Sequence, residues 1–146
     1  MAVKPVPDGY HSITPYLVVS GAAWVIDFAQ EAFGAQEIMR LPGPNNTIGH
    51  AEIKIGDSVV MLADATTAHP ARPANLMLYV PNVDEVYRRA LKAGGKSERE
   101  PADQFYGDRS ASVIDLAGNH WTIATHVEDV TPDELQRRMA RQAKPT

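Results

Sequence analysis

His50 and Glu52 stand two residues apart in the run Ile48–Ile55, alternating with Ala51, Ile53 and Ile55. Side chains at that spacing on a strand point to the same face, so the imidazole and the carboxylate can share a proton or, less readily, a metal. A carboxylate beside an imidazole tunes a general base toward neutral pH. The same residues, continued by Lys54, also describe a solvated polar strand face. His120, just past Ala117-Gly118, is either a further base or a surface residue. The segment Phe105-Tyr106-Gly107-Asp108-Arg109 gathers two aromatic rings, a glycine free to turn tightly, and an Asp-Arg pair. That pair offers a fixed ion pair or an anion-binding guanidinium, or simply ties neighbouring strands together. His11, His69 and His126 lie in or near segment ends and receive no role. The chain has no cysteine, which excludes disulfides, thiolate metal sites and a cysteine nucleophile. Glycine-rich phosphate loops, nucleophile elbows and zinc helix motifs are also missing from the sequence.

The elements that must position these residues come in two copies. Ser20–Gly34 overlies Pro81–Gly95 at a constant offset of 61 residues, and each segment follows a β-rich run, Thr14–Val19 or Asn75–Val80. Val25, Phe28, Ala29, Ala32 and Phe33 form one helical stripe, and Val83, Val86, Tyr87, Ala90 and Leu91 form the other. Ser20 is the expected cap of the first helix; Asn82, with Glu85 at N3 spacing, is the expected cap of the second. Ile13–Val19, Gln36–Leu41, Ile48–Ile55 and Ser58–Ala63 read as strands of the first copy, with a turn at Pro42–Asn46 and a hairpin at Gly56-Asp57. Lys96–Arg99, Arg109–Leu116 and Asn119–Thr125 read as strands of the second. Asp64–Ala74, with Pro70 and Pro73, is a linker. A last helix starts at Thr131 with Pro132 at N1 and Glu134 completing a capping box. Its apolar stripe is little more than Leu135 and Met139, so it is expected on the surface or across a partner chain.

The 146 residues suit one domain, large enough for roughly 70% of the unfolded surface to be buried. An apolar content of 44% and a charged content of 22%, with no apolar run of bilayer length, describe a soluble globular chain. Met1–Gly9 lacks the apolar stretch of a signal peptide, and the absence of cysteine fits the cytoplasm. A net charge of −4 argues against nucleic acid; the basic cluster Arg137, Arg138, Arg141 and Lys144 reads as a solvated helix face.

A βαβββ unit used twice, with Glu31-Ala32-Phe33-Gly34-Ala35 closing the first helix, resembles the vicinal oxygen chelate superfamily of glyoxalases, bleomycin-resistance proteins and extradiol dioxygenases, and within it the PhnB-like branch. The stretches that carry the resemblance are Ile13–Val19, Gly49–Ile53, Gly56–Ser58, Met61–Asp64, Phe105–Arg109 and Asp115–His126. Leu116 departs from the proline usual in that turn. The resemblance implies an α+β fold in which two modules, 10–64 and 75–128 about a linker at 65–74, join into a U-shaped cup, with a C-terminal helix and tail at 129–146. It also implies a homodimer with a small organic ligand in the cup.

In metal-dependent members of that family, four ligands come from the first and last strands of the modules. The resemblance carries those places onto Thr14, Met61, Asn75 and Thr122, a set with no imidazole and no carboxylate. No metal or other cofactor is therefore expected, a divalent metal being the alternative. Strand alternation adds Tyr16, Met77 and Tyr79 to the same concave face, with His50, Glu52 and His120 as its candidate bases. Phe105 and Tyr106 are placed to close over the cup, and Arg109 to meet a ligand anion. Such a lining suits a flat or partly apolar molecule, although Met61 and Met77 can equally be core filling. The expectation is a metal-free binding protein; the alternative is a lyase, isomerase, epimerase or ring-cleaving dioxygenase using the His/Glu pair or a displaced metal.

Overall fold

The computed structural model describes residues 2–143. Two four-stranded mixed sheets, each with a crossover helix, make an α+β fold. The first sheet contains β1 (Tyr16–Val19), β2 (Gln36–Pro42), β3 (Ile48–Ile55) and β4 (Ser58–Asp64), in the order β1-β4-β3-β2. The second contains β5 (Asn75–Tyr79), β6 (Lys96–Asp103), β7 (Asp108–Ile114) and β8 (His120–His126), in the order β5-β8-β7-β6. Helix α1 (Ala22–Phe33) links β1 to β2, α2 (Val83–Lys92) links β5 to β6, and α3 (Pro132–Ala143) follows β8.

The sequence repeat is repeated in the register. Tyr16 lies opposite Met61 in the parallel pair of β1 and β4, and Met77 opposite Thr122 in the pair of β5 and β8. A parallel pair needs a crossover, and the helix supplies it in each copy. Side chains on one face of each sheet face the helices: Leu17, Val19, Ile53 and Leu62 in the first, Val113, Trp121 and Ile123 in the second. These join α1 in one apolar cluster that spans both modules. Phe33 meets Trp121 at 4.9 Å between ring centroids, so the halves share a core.

Several boundaries differ from the expected ones. β1 begins at Tyr16 rather than Ile13, whose side chain is 87% exposed. Pro15 has no N–H to donate, although its carbonyl accepts from Met61 N. β6 runs on through Pro101 to Asp103, with register shifts between Ser97 and Ala102; as an edge strand it tolerates the missing donor.

The first helix is not capped by Ser20. Gly21 takes the N-cap in a left-handed conformation (φ 92°), and no side chain of the cap serves α1. The donors at that end go instead to Asp64, the last residue of β4. Its Oδ1 accepts from Gly21 N at 3.0 Å and Ala22 N at 2.9 Å, and its Oδ2 accepts from Ile48 N at 2.7 Å. In the second copy Thr125 does the corresponding work: its Oγ1 accepts from Val83 N at 2.9 Å and donates to Val80 O at 2.8 Å. Asn82 does cap α2, accepting from Glu85 N at 3.2 Å. Thr131 accepts from Glu134 N at the start of α3, which buries none of its described residues. Lys144 of the basic cluster lies outside the described residues.

Asp64→Ala should lower stability by about 2–4 kcal/mol, because three partly buried amide donors lose their acceptor. Burial alone would raise the Asp64 pKa, but the backbone donors outweigh it and hold the carboxyl below its ordinary value. A depressed pKa in the folded chain means the stabilisation is complete above the ordinary aspartate range and is lost as pH falls through the folded value. Urea unfolding at neutral and acid pH checks this: the deficit of the variant should shrink in acid, and a pH-independent deficit would refute the capping role.

Candidate functional site

The face that each sheet turns away from its helix carries most of the candidate residues. On the first sheet, cross-strand pairing lines up Tyr16, Met61, Glu52 and Met39 in a single row. His50 lies on the same face of β3. Its Nε2 is 2.8 Å from Glu52 Oε2, and its Nδ1 is 2.9 Å from the Tyr16 hydroxyl. The remaining oxygen, Glu52 Oε1, accepts a hydrogen bond from the Tyr10 hydroxyl. The result is a connected chain, Tyr10–Glu52–His50–Tyr16, across one sheet face.

Tyr10 comes from the segment ahead of β1, which the sequence pattern left unassigned. A turn closed by Tyr10 N donating to Pro7 O at 3.1 Å, with Gly9 at φ 85°, lays this segment over Glu52 and Met61. Glu52 is only 6% exposed, whereas Tyr16 is 49% exposed. A buried carboxylate needs partners on both oxygens, and this one has them. The Tyr10 hydrogen bond, then that of His50, holds the Glu52 carboxyl below its usual range despite burial. Reciprocally, the same bond pushes the Tyr10 phenol up.

The second sheet is arranged differently. Its matching row is Met77, Thr122, Ser112 and Arg99. Glu98 joins two of its neighbours: Ser112 Oγ donates to Glu98 Oε1 at 2.9 Å, and His120 Nδ1 is 2.8 Å from Glu98 Oε2. His120 thus has its own carboxylate and belongs to a different sheet from His50 and Glu52. The Tyr79 hydroxyl donates to Asp108 Oδ2 at 2.7 Å, and His126 bridges Asp108 Oδ1 (2.9 Å) and Asp129 Oδ1 (2.7 Å). Asp129 and then Asp108 raise the His126 pKa.

Asp108 and Arg109 do not pair with each other, since neighbours on β7 point to opposite faces. Arg109 makes a bidentate contact with Asp84 at 2.8 and 2.9 Å and a further one with Asp103 at 3.3 Å. These partners push its pKa up and leave its donors engaged on the helix side. Phe105 and Tyr106 stack edge to face at 5.3 Å, and the Phe105 carbonyl accepts from Arg138 of α3. Gly107 has φ 99°, and a Cβ there would fall 2.2 Å from Glu128 O, so only glycine fits.

Thr14 lies just before β1, Met61 at the middle of β4, Asn75 opposite His120, and Thr122 opposite Met77. A thioether, two hydroxyls and an amide do not fit a divalent cation that takes imidazole or carboxylate donors. Among the described residues no group of three His, Asp or Glu side chains is arranged to hold a metal. Sequence reasoning missed Tyr10, Asp129 and Glu98; Tyr10 and Glu98 lie far along the chain from the residues they bind, and Asp129, three residues from His126, lies past the end of β8 where no periodic run marks it.

A model of the glyoxalase/bleomycin resistance protein/dioxygenase superfamily matches residues 10–123. An uncharacterized protein of Mycobacterium bovis is 37% identical over 142 residues, covering 90% of this chain and 93% of its own. Among solved structures, TioX from Micromonospora sp. ML1 superposes with a TM-score of 0.68 at 24% identity, over 80% of this chain and 99% of that one. The PhnB protein from Bacillus cereus gives 0.62 at 17% identity, over 79% and 99%. At these identities the two structures speak to the fold.

Replacing Tyr10 by Phe removes the strongest influence that lowers the Glu52 pKa while leaving the ring. The Glu52 carboxyl resonance should then titrate at higher pH than in the parent chain. An unmoved midpoint in carbon-13 NMR would show that the arm does not govern this carboxylate.

Proposed function

The chain belongs to the glyoxalase/bleomycin resistance protein/dioxygenase superfamily, and from that premise we propose that it binds a small organic molecule on the open sheet faces without a metal at the four inherited positions. The observation that carries this reading is the donor set itself: Thr14, Met61, Asn75 and Thr122 offer no imidazole or carboxylate, while the exposed Tyr16 stands opposite Met61 and the exposed Met77 opposite Thr122. Tyr16, Met77 and Tyr79 are 49%, 50% and 58% exposed, and Met39 extends the first row to its edge. Exposed rings and thioethers adapt to flat, partly apolar ligands, and the hydroxyls of Thr14 and Thr122 add polar points of orientation. Phe105 and Tyr106 form an aromatic pair that can extend the contact. We take the working form to be a homodimer, as the family resemblance implies, in the cytoplasm, which the absence of cysteine fits, and without a nucleic-acid partner, which the net charge of −4 disfavours. No described helix is long and apolar enough to cross a membrane.

A second reading, proton transfer, is favoured by one observation, the chain from Tyr10 through Glu52 and His50 to Tyr16. A buried carboxylate that fixes an imidazole, with a phenol beyond it at the exposed end, is an arrangement in which His50 can take a proton from a bound carbon acid through Tyr16. His120, held by Glu98, is the corresponding candidate on the second sheet.

Purified protein should carry no stoichiometric Mn, Fe, Ni or Zn by elemental analysis, and one ion per chain at the inherited positions would overturn the metal-free reading. Once a turnover is found, His50→Ala and Glu52→Gln should each abolish it at preserved thermal stability. Unchanged rates in both would remove the pair from catalysis and leave binding alone.

A further inference from the structure

The segment joining the two modules wraps around β1. Ala65 N donates to Val19 O at 2.8 Å, continuing the ladder on the β4 side, and Arg72 N donates to Val18 O at 3.1 Å. Successive carbonyls of a strand point to opposite edges, so the two bonds hold the segment on both sides of β1. Between them it is stiffened by Thr66 N donating to His69 O at 2.9 Å and His69 N donating to Thr66 Oγ1 at 3.0 Å. Two hollows result, one of about 380 Å³ and one of about 360 Å³. Tyr16, Val18 and His69 line both. Arg72 lines the first, and Ala63 the second. Each is within the size range of small-molecule sites.

Tyr16 is therefore common to these hollows and to the Tyr10–Glu52–His50–Tyr16 chain. Arg72 differs from most arginines of the molecule. Arg40, Arg109, Arg137, Arg138 and Arg141 each have a carboxylate within ion-pair distance, whereas Arg72, Arg88, Arg89 and Arg99 have none among the described residues, and of these four Arg72 is the one that lines a hollow. The carboxylate that borders the second hollow, Asp64, has both oxygens occupied by backbone donors. In the first hollow an unpaired guanidinium fork and an imidazole stand beside the Tyr16 ring and the apolar side chain of Val18, a lining whose free donors suit an anion.

We propose that the linker is part of the binding site and that the ligand is an organic acid, its carboxylate held by Arg72 with His69 and its apolar body lying on Tyr16 and Val18. This rests on the reading of the Tyr16 face as a small-molecule site and adds the ligand's charge class. It also assigns binding roles to Arg72 and His69, residues outside both repeats.

Phenylacetate, 2-phenylacetamide and 2-phenylethylamine share a ring and differ in head group, so titrating each into the full chain by NMR separates charge from shape. Phenylacetate should bind about tenfold more tightly than the amide, the scale of one charge-assisted contact at a partly exposed site, and the amine should be weakest. Arg72→Gln, a surface change, should bring the acid down to the affinity of the amide, and Arg72→Lys should restore part of the difference. Equal affinity for acid and amide, preference for the amine, or an acid affinity untouched by Arg72→Gln would overturn the organic-acid inference while shifts at Tyr16 and Met61 kept the site. If none of the three probes moved Tyr16, His50 or Met61, the inference and the reading beneath it would both fall.

Discussion

Each module is organised by a parallel pair between its first and last strands, and that pairing creates a demand the rest of the structure answers. Parallel strands require a crossover, here supplied by a helix, and a helix leaves donors unsatisfied at its start. In both copies the end of the last strand meets them, with Asp64 at Gly21 and Ala22 and with Thr125 at Val83. Strand pairing, helix entry and sheet register are thus tied at one place. Loosening the cap would free the helix that carries Phe28 and Phe33 into the shared core.

That same register fixes the arrangement of the candidate site. With Tyr16 opposite Met61 and Met61 opposite Glu52, the row across the first sheet follows from the ladder rather than from any choice of side chain. The second sheet keeps the geometry and changes the contents: Met77, Thr122 and Ser112 stand at the matching points. Duplication preserved the scaffold, and the two faces acquired different polar networks, Glu52 with His50 and Tyr10 on one, Asp108 with Tyr79 and His126 on the other. Each network centres on a carboxylate that is nearly inaccessible, which confines it to a state with donors on both oxygens.

The likeness to TioX and to the PhnB protein concerns the chain trace, and such a trace supports many chemistries. Around that frame this chain carries an arm that covers Glu52 and a linker that bonds to both edges of β1.

Much of the architecture was legible in the residues themselves. The stripe Val25, Phe28, Ala29, Ala32 and the alternation Ala51, Ile53, Ile55 encode a helix and a half-buried strand locally, because apolar spacing has to match the backbone period. The spacing of His50 and Glu52 likewise put both on one face, and Asn82 capped its helix as its type suggests. Where a polar group must find a partner far along the chain, no such local rule exists. Tyr10 reaches Glu52 across 42 residues, Asp64 rather than Ser20 caps α1, and Arg109 turns to Asp84 instead of its neighbour Asp108. The residues alone encode the repeat, the element order and the facing of the periodic runs, since these depend on local spacing. Which donors and acceptors meet is a matter of the fold, since buried polar groups are satisfied by whatever the folded chain brings within about 3 Å.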